Sequence, residues 1–371
     1  AMLAALQEQK QRLKTVDQTQ GDNEPAPAPA PPGKDLTPEE QQRIREDFFA
    51  AGLEKWLPLV ADLSFPSVSL PLSREVCAEL AQASPSAASG TSPAGNFDGS
   101  RLARQVDEAL AASGWANAFV KLSTRSPKDA PQILARAAEA FRGREPWQMP
   151  VPERARLFAE LVQQQFSVAS GAEAVELLVS SDRVREDLEY ALEAPHYDDL
   201  GLHIVLRKWD GPIPIENEFR GIVWQGELNA IGQYYHPLAF PELEASRPQI
   251  EADLRGQYQG LRDKLVAAGF THFIMDFAWL GPGEVRIIEI NPFDGVALGC
   301  FPASTGLFSW DDENDRKIIT EGPFELRLRK EPLPDHELQH RLNPAWRDII
   351  IPSTTAVRPS PGVIAGGPRP K

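Results

Sequence analysis

The sequence predicts an α+β fold with more than one sheet. Three observations point there. Between about residues 101 and 193, apolar residues recur at helical spacing. From His203 to Asn291 the chain changes to short runs rich in Val, Ile, Phe and Trp, divided by tight turns. A helical half followed by a strand-rich half is the α+β pattern. The third observation is an absence. No phosphate loop and no dinucleotide glycine fingerprint is present, which excludes a doubly wound nucleotide fold.

Residues 1–34 run from a short charged stretch into alternating Pro and Ala (Pro25 to Pro32), which forbids helix and sheet and predicts a flexible tail. Thr37-Pro38-Glu39-Glu40 is a capping box with proline at the first helical position. Its helix is expected to run through Phe48-Phe49 toward Trp56. Phe65 to Leu72 alternates and contains prolines, so it predicts an edge strand. Ser73 caps a short helix through Cys77 and Leu80, and residues 82–99 predict a loop. Leu102, Val106 and Leu110 predict a helix over 101–112, stopped by Gly114. A strand at Phe119–Leu122 leads into the polar turn Ser123–Asp129. Helices follow at about 129–142, 152–165, 171–180 and 182–193. Strands are predicted at 203–209, 218–224 and 228–233, with a hairpin turn at Gln225-Gly226-Glu227. An amphipathic helix covers 247–268. Two further strands, 271–279 and 284–291, are joined by Gly281-Pro282-Gly283. After about Pro352 the composition predicts a second tail.

The chain has 371 residues and a net charge of −15. That field opposes nonspecific binding to nucleic acid or to an anionic membrane, so neither is an expected partner. Two distant cysteines, Cys77 and Cys300, make no disulfide framework and predict reduced, buried thiols. No apolar run spans a bilayer and no secretory signal opens the sequence; a cytoplasmic monomer is expected.

Chemistry concentrates on the last two strands. Alternate side chains of a strand share a face, so Glu289 and Asn291 point together while Ile288 and Ile290 point into a core. Asp276 lies on the partner strand between apolar neighbours and can stand beside Glu289. Two carboxylates about 5 Å apart repel by roughly 3 kcal/mol at an effective dielectric of about 20. Such a pair needs a proton, a basic partner or a metal. Asp, Glu and Asn offer hard oxygens that suit magnesium, and solvated surface acids are the bland alternative. Basic residues on apolar strands, Lys121, Arg207, Lys208 and Arg220, are candidates to converge on one anion, or each is a structural edge residue. The Ser123–Asp129 loop is a further, weaker phosphate candidate. His336 and His340 are read as solvent-facing.

Several segments in order resemble the cell-division-cycle protein 123 family. They are Lys55-Trp56-Leu57-Pro58, Ser67 to Leu72, Phe119 to Leu122 with Ser126-Pro127-Lys128-Asp129-Ala130, Val205 to Trp209 with Glu218-Phe219-Arg220, Asp276 with Ile288 to Phe293, and Phe308 to Asp312. Glu289 stands where the family has Asp, and Gln233-Tyr234-Tyr235 where it has Gln-Arg-Asp. The resemblance implies an atypical ATP-grasp-like fold, with two α+β subdomains (35–200 and 201–351) and a nucleotide cleft between them. It implies ATP and magnesium as ligands: Asp276, Glu289 and Asn291 on the metal, Lys121, Arg207 and Lys208 along the nucleotide, Arg220 at the phosphate end. It also implies a chaperone role in assembling eukaryotic translation initiation factor 2 through its gamma subunit. The alternative is an ATP-grasp ligase or kinase that activates a carboxylate or another small acceptor. Asp276→Ala is expected to weaken magnesium-ATP binding and leave the fold intact.

Overall fold

The computed structural model describes residues 46, 48–83, 99–194, 197–293 and 305–352. The Thr37 capping box, most of the expected 82–99 loop, both expected tails and Cys300 lie outside the described residues. In chain order the elements are α1 (Leu53–Val60), β1 (Ser67–Pro71), α2 (Arg74–Ala83), α3 (Ser100–Ser113), β2 (Ala118–Leu122), α4 (Pro131–Gly143), α5 (Val151–Gln163), β3 (Ser167–Val168), α6 (Gly171–Ser180) and α7 (Asp182–Leu192). Then come β4 (His203–Lys208), β5 (Glu218–Trp224), β6 (Glu227–Gln233), α8 (Arg247–Ala267), β7 (Phe273–Gly281), β8 (Glu284–Pro292), α9 (Glu313–Glu321), β9 (Glu325–Arg327), α10 (Asp335–Arg341) and α11 (Pro344–Ile350).

Two sheets and their covering helices make the α+β fold. The first sheet has the order β1-β4-β2-β3, antiparallel throughout. The proline-bearing strand β1 is an edge, as its composition requires. Ala118, Val120 and Leu122 of β2 pair with Lys208, Leu206 and Ile204 of β4, so these share one face. Phe119 and Lys121, paired with Arg207 and Val205, occupy the other.

The second sheet has the order β8-β7-β5-β6-β9, antiparallel except for the β6–β9 pair. Phe273, Met275 and Phe277 present one face to α8, where Leu254, Tyr258 and Leu261 are buried. The opposite face carries Arg220, Ile222, Ile274, Asp276, Glu289 and Asn291 by register. Its apolar end is a separate small cluster of Ile222, Ala230, Ile274, Phe293, Phe308 and Ile319.

Several details differ from the sequence expectations. The first helix is broken at Ala51-Gly52, because Gly52 is extended (φ −55°, ψ 142°), and α1 restarts after it. Ile288 does not join Ile290 in the core. The register shifts between Asp276 and Phe277, so Ile288 is the extra residue of a β-bulge and is half-buried. The helices after residue 312 were not foreseen. α11 returns to the first layer, with Trp346 edge-on to Phe158 at 5.2 Å and Arg154 donating to the Ile350 carbonyl at 2.7 Å. One hydrophobic core therefore runs through both sheets. No helix of the described residues is long and apolar enough to cross a membrane.

α3 and α6 touch through backbone. A Cβ on Gly171 would sit 1.9 Å from the Ala103 carbonyl oxygen, which no rotamer change relieves. Gly171→Ala is expected to destabilise the chain by about 2 kcal/mol through forced helix separation, measured by denaturant unfolding.

Candidate functional site

The site lies where the polar face of the second sheet meets the open face of the first. The turn Pro282-Gly283 sets the β7–β8 register, with Gly283 at φ +77°. Asp276 is thereby placed directly opposite Glu289, and Ile274 opposite Asn291. On β5, Arg220 pairs with Asp276. Its Nε and Nη2 donate to Asp276 Oδ1 and Oδ2 at 2.9 and 3.0 Å, a bidentate pair buried on both sides. Asn291 Nδ2 donates to Asp276 Oδ2 at 3.2 Å.

From the first sheet, Lys121 is only 2% exposed and its ammonium donates to Glu289 Oε1. Burial pushes Glu289 up, but Lys121 beside it outweighs that and brings the carboxyl below its ordinary value. Burial is also the main reason that Lys121 lies below the usual lysine range, with Glu289 opposing it. Arg207 reaches the free edge of β8, donating to the bulge carbonyl of Ile288 at 2.5 Å and to Ser64 Oγ at 2.6 Å. Ser64 donates in turn to the Ile287 carbonyl at 2.7 Å. Burial lowers Arg207 to about 10. The bulge and the edge position of β8 supply these acceptors, since neither carbonyl is used up by a further strand.

Lys208 is not brought to this cluster. It alternates with Arg207, points to the other face and pairs with Asp210 at 2.7 Å in solvent. Asp276, Glu289, Asn291, Lys121, Arg207 and Arg220 do converge. His336 and His340 are exposed. Cys77 is buried, and burial raises its thiol to about 11.

Sequence reasoning did not single out Glu218, Gln163 or Tyr234, and it named Lys128 only as part of the Ser123–Asp129 loop. Glu218 is 5% exposed and shares a strand face with Arg220. Gln163 Nε2 donates to Glu218 Oε1 at 2.5 Å and to Tyr235 Oη at 2.7 Å. Burial raises Glu218 to about 7; Lys128 opposes the shift and Asp276 adds to it. The spacing of two residues from Arg220 was the available clue, the same rule that paired Glu289 with Asn291. Lys128 lies over the rings of Tyr234 and Phe166 at 5.4 and 5.7 Å. Its loop is fastened to α7, with Arg125 paired to Asp187 and Asp129 accepting from the Arg183 backbone N–H at 3.1 Å. Nothing periodic marks a loop lysine. Arg220 also stacks on Tyr234 at 4.7 Å, so this ring helps to hold the guanidinium in place.

No curated protein matches this chain. Solved structures do, among them Cdc123 from Schizosaccharomyces pombe and a C-terminally truncated form of it. Each is 20% identical, has a TM-score of 0.53, and covers 77% of this chain and 98% of its own. At that identity the likeness is one of fold. The family model described as D123 matches residues 158–343, half of the chain, and takes in Glu218, Arg220, Asp276, Glu289 and Asn291. The chain belongs to the D123 family.

Proposed function

We propose that this chain binds ATP with magnesium in an ATP-grasp-like cleft between its two α+β parts. The observation that carries the reading is a buried surplus of positive charge. Lys121, Arg207 and Arg220, all buried, and the half-buried Lys128 face the two carboxylates Asp276 and Glu289. Uncompensated buried charge is costly, so a surplus of cations calls for an anion. The surplus matches the net negative charge that a nucleoside triphosphate keeps after taking one magnesium ion.

The donor set fits the metal. Asp276, Glu289 and Asn291 share one sheet face, and Asn291 Oδ1 meets no donor among the described residues. Among those residues no group of three His, Cys, Asp or Glu side chains gathers at metal-binding distance. Two carboxylates and an amide suit magnesium, which keeps waters and phosphate oxygens as its other ligands. Bound magnesium would neutralise phosphate charge. Lys121, Lys128 and Arg207 would bind phosphate oxygens, and Arg220 would orient Asp276.

Family membership supports the cellular role. The D123 assignment and the fold shared with Cdc123 agree with a cytoplasmic assembly factor for translation initiation factor 2, acting on its gamma subunit. A second reading, an ATP-grasp ligase or kinase, is favoured by Glu218. A buried carboxyl raised to about 7 next to Lys128 and Arg220 is a proton donor or acceptor that mere binding does not need.

Isothermal titration is expected to show ATP binding that magnesium tightens at least about tenfold. Equal affinity with and without magnesium would remove the metal assignment. A gamma-subunit pull-down tests the assembly role, and release of ADP in the presence of a carboxylate and an amine would favour the second reading.

A further inference from the structure

The two carboxylates assigned to the metal are held differently by the chain's own cations. Both oxygens of Asp276 accept from Arg220, and the Tyr234 ring covers that guanidinium at 4.7 Å. Glu289 accepts only from Lys121 among the described residues, through Oε1. Lys121 carries three N–H donors, and Glu289 is its one acceptor among those residues. A lysine ammonium is a point charge on a flexible four-carbon stem, so it changes partners by bond rotation; a forked and stacked guanidinium does not. The contact between the sheets does not depend on the Lys121–Glu289 pair. Arg207 donates across to the Ile288 carbonyl and to Ser64, and Ser64 donates to the Ile287 carbonyl.

We propose that Lys121 makes metal binding conditional on the nucleotide: it holds Glu289 until a triphosphate takes its ammonium, and only then is Glu289 released to a divalent cation. The inference rests on the nucleotide reading and adds an order to it. Charge sets that order. Lys121, Lys128, Arg207 and Arg220 outnumber Asp276, Glu289 and the nearby Glu218 even when all three acids are ionised. A free divalent cation would enter a surplus of like charge and stand beside the Lys121 ammonium on one shared carboxylate. A triphosphate reverses the balance. Its oxygens give Lys121 another acceptor, and its negative charge offsets the surplus that opposes the metal. Lys121 thus serves Glu289 and phosphate in turn, and nucleotide and metal each raise the affinity for the other.

The full chain would be titrated with manganese, a paramagnetic stand-in for magnesium, with the free ion followed by electron paramagnetic resonance. Without nucleotide, Lys121→Met is expected to bind manganese at least about tenfold more tightly than the parent. Adding Glu289→Gln to Lys121→Met is expected to erase the gain, which places the ion on Glu289. Lys121→Arg keeps the charge and is expected to bind manganese as weakly as the parent. Unfolding midpoints of parent and variants check that each is folded. A second readout leaves the charge in place. With lysine Cε labelled by carbon-13, the signal missing from Lys121→Arg belongs to Lys121. It is expected to move with magnesium and ATP together and to stay put with magnesium alone. Manganese binding to the parent as tight as to Lys121→Met, or a Lys121 signal that magnesium alone moves, would overturn the proposal. If ATP with magnesium still binds in that case, the nucleotide reading stands and only the order falls. If ATP does not bind at all, the nucleotide reading falls and the order with it, whatever manganese does.

Discussion

Asp276→Ala is expected to destabilise the chain by about 3–5 kcal/mol, as well as removing the magnesium-dependent part of ATP affinity. The stability term comes from what is left behind. Arg220 is buried, both carboxylate oxygens of Asp276 accept from it, and Tyr234 covers its guanidinium. Alanine leaves that charge in a buried site without its bidentate counter-ion, and also removes the acceptor of the Asn291 amide. Asp276→Asn keeps the shape and one acceptor oxygen and is expected to lose less. The double variant Asp276→Leu with Arg220→Met removes both charges together, and is expected to recover most of the loss. Denaturant unfolding of the set measures the coupling. A loss below about 1 kcal/mol for Asp276→Ala would show that Arg220 finds another acceptor, and that the pair does not hold the cleft together. The sequence reading expected this variant to leave the fold intact, because it saw Asp276 as a metal ligand and not as the partner of a buried arginine.

That difference shows what local pattern can and cannot reveal. Period-two alternation and the Gly281-Pro282-Gly283 turn were enough to set Asp276 beside Glu289 and to send Asn291 the same way. The bulge at Ile288 was not legible, because one extra residue leaves no mark in the hydrophobic pattern. Alternation also decides between neighbours. Arg207 and Lys208 cannot both face the cleft, and the shared-face pairing with half-buried Phe119 and buried Lys121 chose Arg207. Pairing between sheets lay beyond reach: Lys121 and Glu289 are 168 residues apart, and nothing local predicts their contact. The helices after residue 312 are short and charged, with few buried residues, so their periodicity carried little information. The resemblance in motif order supplied what spacing lacked, and the D123 match over residues 158–343 accords with it.

Glu218→Gln is expected to change the pH dependence of stability. Burial holds the native carboxyl at about 7, above its ordinary value of 4.5. Between those values the native state keeps a proton that the unfolded chain releases. The stability from that proton is full below about pH 4.5 and is lost as pH rises through about 7, at about 1.4 kcal/mol per pH unit. The whole loss is about 3 kcal/mol. Glutamine preserves an acceptor oxygen for the Gln163 amide, which donates to Glu218 at 2.5 Å, and it cannot ionise. The variant should therefore match the parent near pH 4.5 and exceed it by up to about 3 kcal/mol at pH 8, as read from unfolding midpoints across that range. Parallel curves for the two proteins would mean that Lys128 and Arg220 keep Glu218 ionised throughout. The buried acid would then be one more counter-ion in the cluster, the cationic surplus would shrink by one charge, and the ligase or kinase reading would lose the observation that favours it.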